Sequence, residues 1–285
     1  MQKPYRLLLP QNRDTATVFS APHSGRLYPE GFVAQSPLTP EKLRSSEDAF
    51  VDLLYAEAPS QGAVLLVADA PRAYVDLNRA ADELDPALIE GLPRGMTNPR
   101  INSGLGVIPR VVAGGRVIHP ARITLAEAQA RLDEVWHPYH RALAGLLAQA
   151  RGDFAGALLI DCHSMPRDAI HAGVSPRPQV ILGDRFGASC CPSIMARVEA
   201  AFQAQDFRTV RNQPFAGAHI LKTYGRPAIG QHAIQIEIDR SLYMDEATIT
   251  PHQGFEVIRH RLSQVVAELA QIGRELGRKV AVAAE

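Results

Sequence analysis

Short apolar runs that stop abruptly in clusters of polar residues constrain this chain more than any other feature. Thr17–Ser20 runs through Ala21-Pro22 into His23-Ser24-Gly25, and Ala157–Cys162 runs into His163-Ser164. Tyr74-Val75 leads in the same way to Asp76-Leu77-Asn78-Arg79, and Ile234-Gln235-Ile236 to Glu237-Ile238-Asp239-Arg240. Runs this short and this apolar fit strands buried on both faces. Strands are therefore expected at Thr17–Ser20, Ala63–Ala68, Ala73–Leu77, Ala157–Cys162, Gln179–Leu182 and Ala233–Ile238.

Helical patterns lie between them. Thr124 with Glu127 reads as a capping box, and Leu125, Ala128, Leu132, Val135, Tyr139, Leu143 and Leu146 then recur at steps of three or four. One helix is expected to about Gln149, bent at Pro138, which lacks an amide donor and crowds the preceding turn. Ile194, Val198 and Phe202 mark a helix after Pro192, and Ile258, Leu262, Val265, Leu269 and Ile272 mark a C-terminal one. Alternating strands and helices predict a three-layer α/β/α domain around a mixed, largely parallel sheet, with ligands gathered at the carboxyl ends of strands. Neither a repeat nor a Ser/Gly linker divides residues 1–285, so a single domain is expected. The Gly- and Pro-rich segment 93–120, with its run GLGVIPRVVAGG, reads as a small hairpin flap over an active site.

Thirty Lys and Arg balance thirty Asp and Glu, which argues against nucleic acid or an anionic membrane surface as partner. No apolar run approaches the ~20 residues of a membrane span, and the N-terminal apolar stretch is shorter than the ~7–15 residues of a signal peptide core. Cys162, Cys190 and Cys191 form no disulfide framework. The expectation is a cytoplasmic protein acting on a small molecule.

Strand-end polar groups are the candidate site. His23 and His163 are the leading metal ligands, although a strand-end histidine can equally be satisfied by a backbone carbonyl. A hydrolytic zinc site needs a carboxylate as third protein ligand, and Glu47 and Asp48 offer two at a helix start, where either would also serve as a cap. Glu237, between Ile236 and Ile238, sits where desolvation raises a carboxylate's pKa, which suits a general base; a salt bridge to Arg240 is the competing account. Arg72, Asn78 and Arg79 supply donors for a substrate carboxylate or an oxyanion. His137 and His140, three apart on the long helix, are a rival metal pair without the Glu of an HExxH arrangement. Cys162 and His163 are neighbours on one strand and point to opposite faces, so a cysteine nucleophile with His163 as its base is disfavoured. Nucleophile-elbow, phosphate-loop and dinucleotide motifs are absent.

Six motifs, PHSGRLYPE at 22–30, SEDAFVDLLY at 46–55, PRAYVDLNR at 71–79, WHPYHRAL at 136–143, LLIDCHSMP at 158–166 and IQIEIDRSLYMDE at 234–246, together resemble the N-formylglutamate amidohydrolase family. The resemblance runs from about residue 17 to 270. It implies a zinc-dependent hydrolase with a metallocarboxypeptidase-like fold that cleaves N-formyl-L-glutamate to formate and glutamate in histidine degradation. It also implies His23, Asp48 and His163 as ligands of one zinc ion, with Glu47 in place of the family's more usual Thr before Asp48. Glu237 matches the base, Asn78-Arg79 resembles a carboxylate-gripping pair, and Arg72 is placed near the oxyanion. A related deacylase or carboxypeptidase-like hydrolase of another acidic substrate would share the same metal site.

Overall fold

The computed structural model describes residues 3–93, 98–170 and 176–282, the side chains of 277–282 excepted. A seven-stranded sheet runs in the order Tyr5–Leu8, Val64–Ala68, Thr17–Ala21, Ala157–Met165, Gln231–Asp239, Val180–Gly183, Thr209–Arg211. Its four central and outer pairings that carry the crossovers are parallel, while Tyr5–Leu8 and Val180–Gly183 lie antiparallel to Val64–Ala68 and Gln231–Asp239. The expected mixed, largely parallel sheet is present. Side chains alternate between its faces. Phe19, Leu65, Leu158, Ile160, Ile234 and Ile236 point into one core, under the helices Pro192–Gln203 and Phe255–Val282. Val18, Leu66, Leu159 and Ala233 point into a second core, under Leu125–Phe154 and the short helix His219–Tyr224. Helices on both faces of the sheet complete the three layers.

The C-terminal helix lies very close to the Thr17 strand. A Cβ on Gly273 would come within 2.2 Å of Thr15 Oγ1 and 2.7 Å of Thr17 N. Thr15 and Thr17 use that proximity, donating from their hydroxyls to Ala270 O at 2.6 Å and Leu269 O at 2.8 Å.

Three expectations need correction. Ala73–Leu77 is not a strand: Tyr74 N and Val75 N both fold back to donate to Pro71 O, and the apolar side chains that imitate a strand bury from a turn into the cores. The long helix extends beyond its expected end, and its irregularity takes the form of a π-helical turn just before Pro138. It runs α-helical from Leu125 to Arg131, passes through a π-helical turn at Leu132–Trp136, and resumes at His137–Phe154, beyond the expected end at Gln149. Pro138 lies in the first turn of the resumed segment, where a missing amide is tolerated. The strand expected at Gln179–Leu182 is displaced by one residue. The hairpin flap is present as Val111–Val112 against Arg116–Val117; within 93–120, residues 94–97 lie outside the described residues.

Candidate metal centre and active site

Parallel pairing of Ala157–Met165 with Gln231–Asp239 puts His163 opposite Glu237, and Asp161 opposite Gln235. These four side chains share one parity, on the face of the second core but beyond its apolar residues, towards the carboxyl ends of the strands. His23 follows the adjacent strand. Its loop is pressed against Asp69-Ala70, because Leu27 N donates to Asp69 O and a Cβ on Gly25 would meet Ala70 O at 2.0 Å. Asp48 is tied to the same loop by its amide, which donates to His23 O at 3.0 Å.

One nitrogen of each histidine and one oxygen of Asp48 converge. His163 Nδ1 lies 2.9 Å and His23 Nδ1 3.4 Å from Asp48 Oδ2, and the three ligand atoms fall within 4.8 Å of one another. Each imidazole is backed by a second carboxylate on its far side. His23 Nε2 donates to Asp76 Oδ1 at 2.8 Å, and His163 Nε2 lies 3.0 Å from Asp161 Oδ2 and 3.3 Å from Asn78 Nδ2. Asp161 is fully buried and, apart from that imidazole, neither oxygen meets a donor among the described residues. With Nε2 protonated, the Nδ1 lone pairs face a carboxylate oxygen, a repulsive arrangement unless a proton or a cation lies between them. Burial alone would lower the His163 pKa, yet the charge and hydrogen bond of Asp161, with the Asp48 contact, push it well above the ordinary imidazole value. Asp48 is buried too, which favours its neutral form, but its contacts with His163, His23 and Arg240 hold it well below the usual carboxylate range. Two oriented imidazoles, a shared carboxylate and a buried His23 Nδ1 without a hydrogen bond fit a divalent cation.

Around this centre opens a cleft of about 560 Å³, lined by His23, His163, Glu237, Arg72 and Arg79 and closed on one side by the flap at 111–115. Burial, reinforced by the charge of Asp48, raises Glu237 to about 7 against the pull of His163, Arg72 and Arg240. Gln235 Nε2 donates to its Oε1 at 2.9 Å. Arg240 pairs with Asp48 rather than Glu237: its Nη2 donates to Asp48 Oδ1 at 2.8 Å and its Nε to Ser164 Oγ at 3.1 Å. That leaves Asp48 Oδ2 facing the histidines. Arg72 Nε donates to Asp76 Oδ2 at 3.1 Å, with Nη1 3.9 Å from Asp48 Oδ1. Arg79 gives Nε to Leu105 O and Nη1 to Asn78 O, and its Nη2 stands 3.9 Å from Asp76 Oδ2. Asn78 is engaged on both sides of its amide, accepting from Ile220 N at 2.8 Å and donating to Gln235 Oε1 at 3.3 Å.

The remaining candidates sit elsewhere. Glu47 turns away from the centre to accept from Tyr28 Oη at 2.7 Å and from Arg44 Nε. His140 is buried against Leu77 O and Tyr224, and His137 faces Asp133 at 3.7 Å; among the described residues, the set that could hold an ion is His23, Asp48 and His163. Cys162 packs in the opposite core, where burial pushes its thiol well up. Sequence reasoning gave no role to Asp76 or Asp161, and the competing account of Glu237, a salt bridge to Arg240, gives way to the Arg240–Asp48 pair. Asp161 was detectable in principle, since it lies two residues before His163 and hence on the same strand face.

The N-formylglutamate amidohydrolase family model matches residues 15–244. The N-formylglutamate deformylase of Pseudomonas aeruginosa is 32% identical over 268 residues, 90% of this chain and 94% of the relative; that of Pseudomonas putida is 31% identical over 234 residues, 80% and 82%. The crystal structure of N-formylglutamate amidohydrolase from Ralstonia eutropha superposes with a TM-score of 0.90 at 34% identity, covering 96% of this chain and 99% of that one. An Agrobacterium tumefaciens protein, the Atu2144 product, shares the fold at a TM-score of 0.66 and 15% identity, over 95% and 96% of the two chains.

Proposed function

The chain belongs to the N-formylglutamate amidohydrolase family, and from that premise we propose that it is a zinc-dependent hydrolase releasing formate from N-formyl-L-glutamate. The observation that carries this reading is the convergence of His23 Nδ1, His163 Nδ1 and Asp48 Oδ2 in a cleft that also holds Glu237, raised to about 7. His23, Asp48 and His163 would hold the zinc ion, which would supply Lewis acidity for the amide carbonyl and for a water.

The chain's own groups do the rest. Glu237 takes the proton of the attacking water and returns it to the leaving nitrogen, a task for which a pKa near working pH is suited. Arg72, kept charged by Asp76 and Asp48 in spite of its burial, has guanidinium nitrogens to spare for the developing oxyanion. Arg79, with the Asn78 amide beside it, holds a substrate carboxylate through Nη2 and so orients the formyl group. Asp76 and Asp161 keep the imidazole protons on Nε2 and the lone pairs on Nδ1.

The test is formate or amine release from N-formyl-L-glutamate, N-formyl-L-aspartate, N-formyl-L-leucine and N-acetyl-L-glutamate, with protein stripped by a chelator and reloaded with Zn²⁺. Hydrolysis of N-formyl-L-glutamate ahead of the others, lost on stripping and restored by Zn²⁺, is expected. Faster release from the acetyl compound would reassign the acyl group, and turnover that survives stripping would remove the metal.

A further inference from the structure

The WHPYH motif at 136–140 binds no metal in this arrangement, yet its side chains converge on the segment that carries Asn78 and Arg79. That segment has no ladder hydrogen bonds of its own, being a turn where a strand is expected. Its carbonyls are held from behind instead. His140 Nε2 donates to Leu77 O at 2.9 Å, and Trp136 Nε1 donates to Arg79 O at 2.9 Å. Between these two, the Asn78 side chain accepts from Ile220 N. Leu77 O can only accept, so Nε2 carries the ring proton; Tyr224, on the same short helix as Ile220, brackets the residue from the other side, with its hydroxyl 2.9 Å from His140 Nδ1 and 3.2 Å from His140 O. The π-helical turn ends at Trp136 and rotates the residues that follow, so that Trp136 and His140 stack with ring centroids 4.0 Å apart while Tyr139 and Leu143 still face the core.

We propose that Trp136 and His140 are positioning residues for substrate binding: two ring N–H donors on one helix face clamp the carbonyls of Leu77 and Arg79 and thereby place the Arg79 guanidinium and the Asn78 amide in the cleft. The inference rests on the reading of Asn78 and Arg79 as carboxylate-binding groups, while the clamp itself is a matter of backbone geometry. Burial, with His219 nearby, pushes His140 down to about 3, so its ring stays neutral, with one donor and one acceptor, across the working pH range. Neither ring touches the metal ligands. The chemistry at Glu237 and the metal should therefore be spared when the clamp is loosened, and binding should suffer.

Trp136→Phe and His140→Leu each remove a donor, Leu keeping about the volume of the imidazole while Phe gives up part of the indole, whereas His140→Gln offers an amide N–H near the position of Nε2. Each Zn²⁺-loaded protein is assayed on N-formyl-L-glutamate, and amide hydrogen exchange is read at Asn78 and Arg79. The first two variants should raise KM about five- to tenfold, with kcat within about twofold and zinc stoichiometry unchanged, while the Gln variant recovers most of the KM. Exchange should quicken at Asn78 and Arg79 and remain slow in the 137–154 helix. An equal fall in kcat and zinc content, or faster exchange throughout that helix, would reduce the motif to general scaffolding and overturn the proposal. So would an unchanged KM with unchanged exchange. Should the wild-type protein leave N-formyl-L-glutamate intact, the substrate assignment fails, and amide exchange at Asn78 and Arg79, quickened in the Leu variant and slowed again in the Gln variant, still decides the clamp.

Discussion

Glu237→Gln should stabilise the metal-free protein at alkaline pH and do little at acidic pH. The carboxyl titrates ordinarily near 4.5 and is raised to about 7 in the fold, with burial as the leading cause. For a group raised on folding, the contribution to stability is fully present below 4.5, where folded and unfolded chains are both protonated. It is lost as pH climbs through about 7, where the folded chain must hold a buried charge that the unfolded chain solvates. At about 1.4 kcal/mol for each tenfold change in the protonation equilibrium, the loss amounts to roughly 3 kcal/mol by pH 8. Glutamine copies the shape, retains an oxygen for the Gln235 Nε2 donor and carries no charge at any pH. Urea unfolding of both proteins in a chelator, at pH 5, 6, 7 and 8, measures the gap, and the difference cancels groups common to both chains. The variant should gain little at pH 5 and roughly 3 kcal/mol at pH 8, most of it appearing between pH 5 and 7. A flat gap, or a wild-type chain that is the more stable at pH 8, would refute the desolvation argument and with it the account of Glu237 as a base poised near neutrality.

Other outcomes follow from the same geometry. In the zinc-loaded enzyme, Glu237→Gln should keep its metal by elemental analysis while kcat falls about 10²–10⁴-fold. Asp161→Asn removes the carboxylate behind His163 and should weaken zinc about 10–100-fold in a competition titration with a chelating dye, an unchanged affinity counting against the orienting role. Gly273→Ala should destabilise the fold by about 1–3 kcal/mol in denaturant, since the new methyl would overlap Thr15 and Thr17 where helix and strand meet; a stabilised variant would contradict that close approach.

Elements that sequence periodicity specifies were legible: the central strands, the capped helix at Thr124, the C-terminal helix and the hairpin flap all lie near their expected places. His23, His163 and Glu237 could be named because each stands where an apolar run meets polar residues; between Glu47 and Asp48 the residues left the choice open, and the family resemblance pointed to Asp48. What failed depended on tertiary partners. Ala73–Leu77 carries a strand's composition, but Pro71 and the depth of the cores turn it into a loop. Pro138 signals an irregularity but not its form, a π-helical turn over Leu132–Trp136 that ends where Trp136 meets the Arg79 carbonyl. Arg240, three residues from Glu237 in sequence, pairs instead with Asp48, 192 residues away, because strand parity and burial decide its reach. Asp161 was within reach of strand parity alone, whereas Asp76 announces itself only once the His23 ring has a direction.

The ladder that sets His163 beside Glu237 divides the labour of the molecule in a way that bears on its descent. A one-residue insertion in either strand would turn the reactive groups into the wrong core and send an isoleucine or a cysteine into the cleft, so the hydrolytic apparatus tolerates almost no drift in length. The flap and residues 214–218, which line the same cleft, lie outside that ladder, so changes of side chain there reshape the cleft without shifting the register of His163 and Glu237. A search for acceptance of other acyl groups and amino acids therefore begins with the side chains of those loops, with the strand register left as it is.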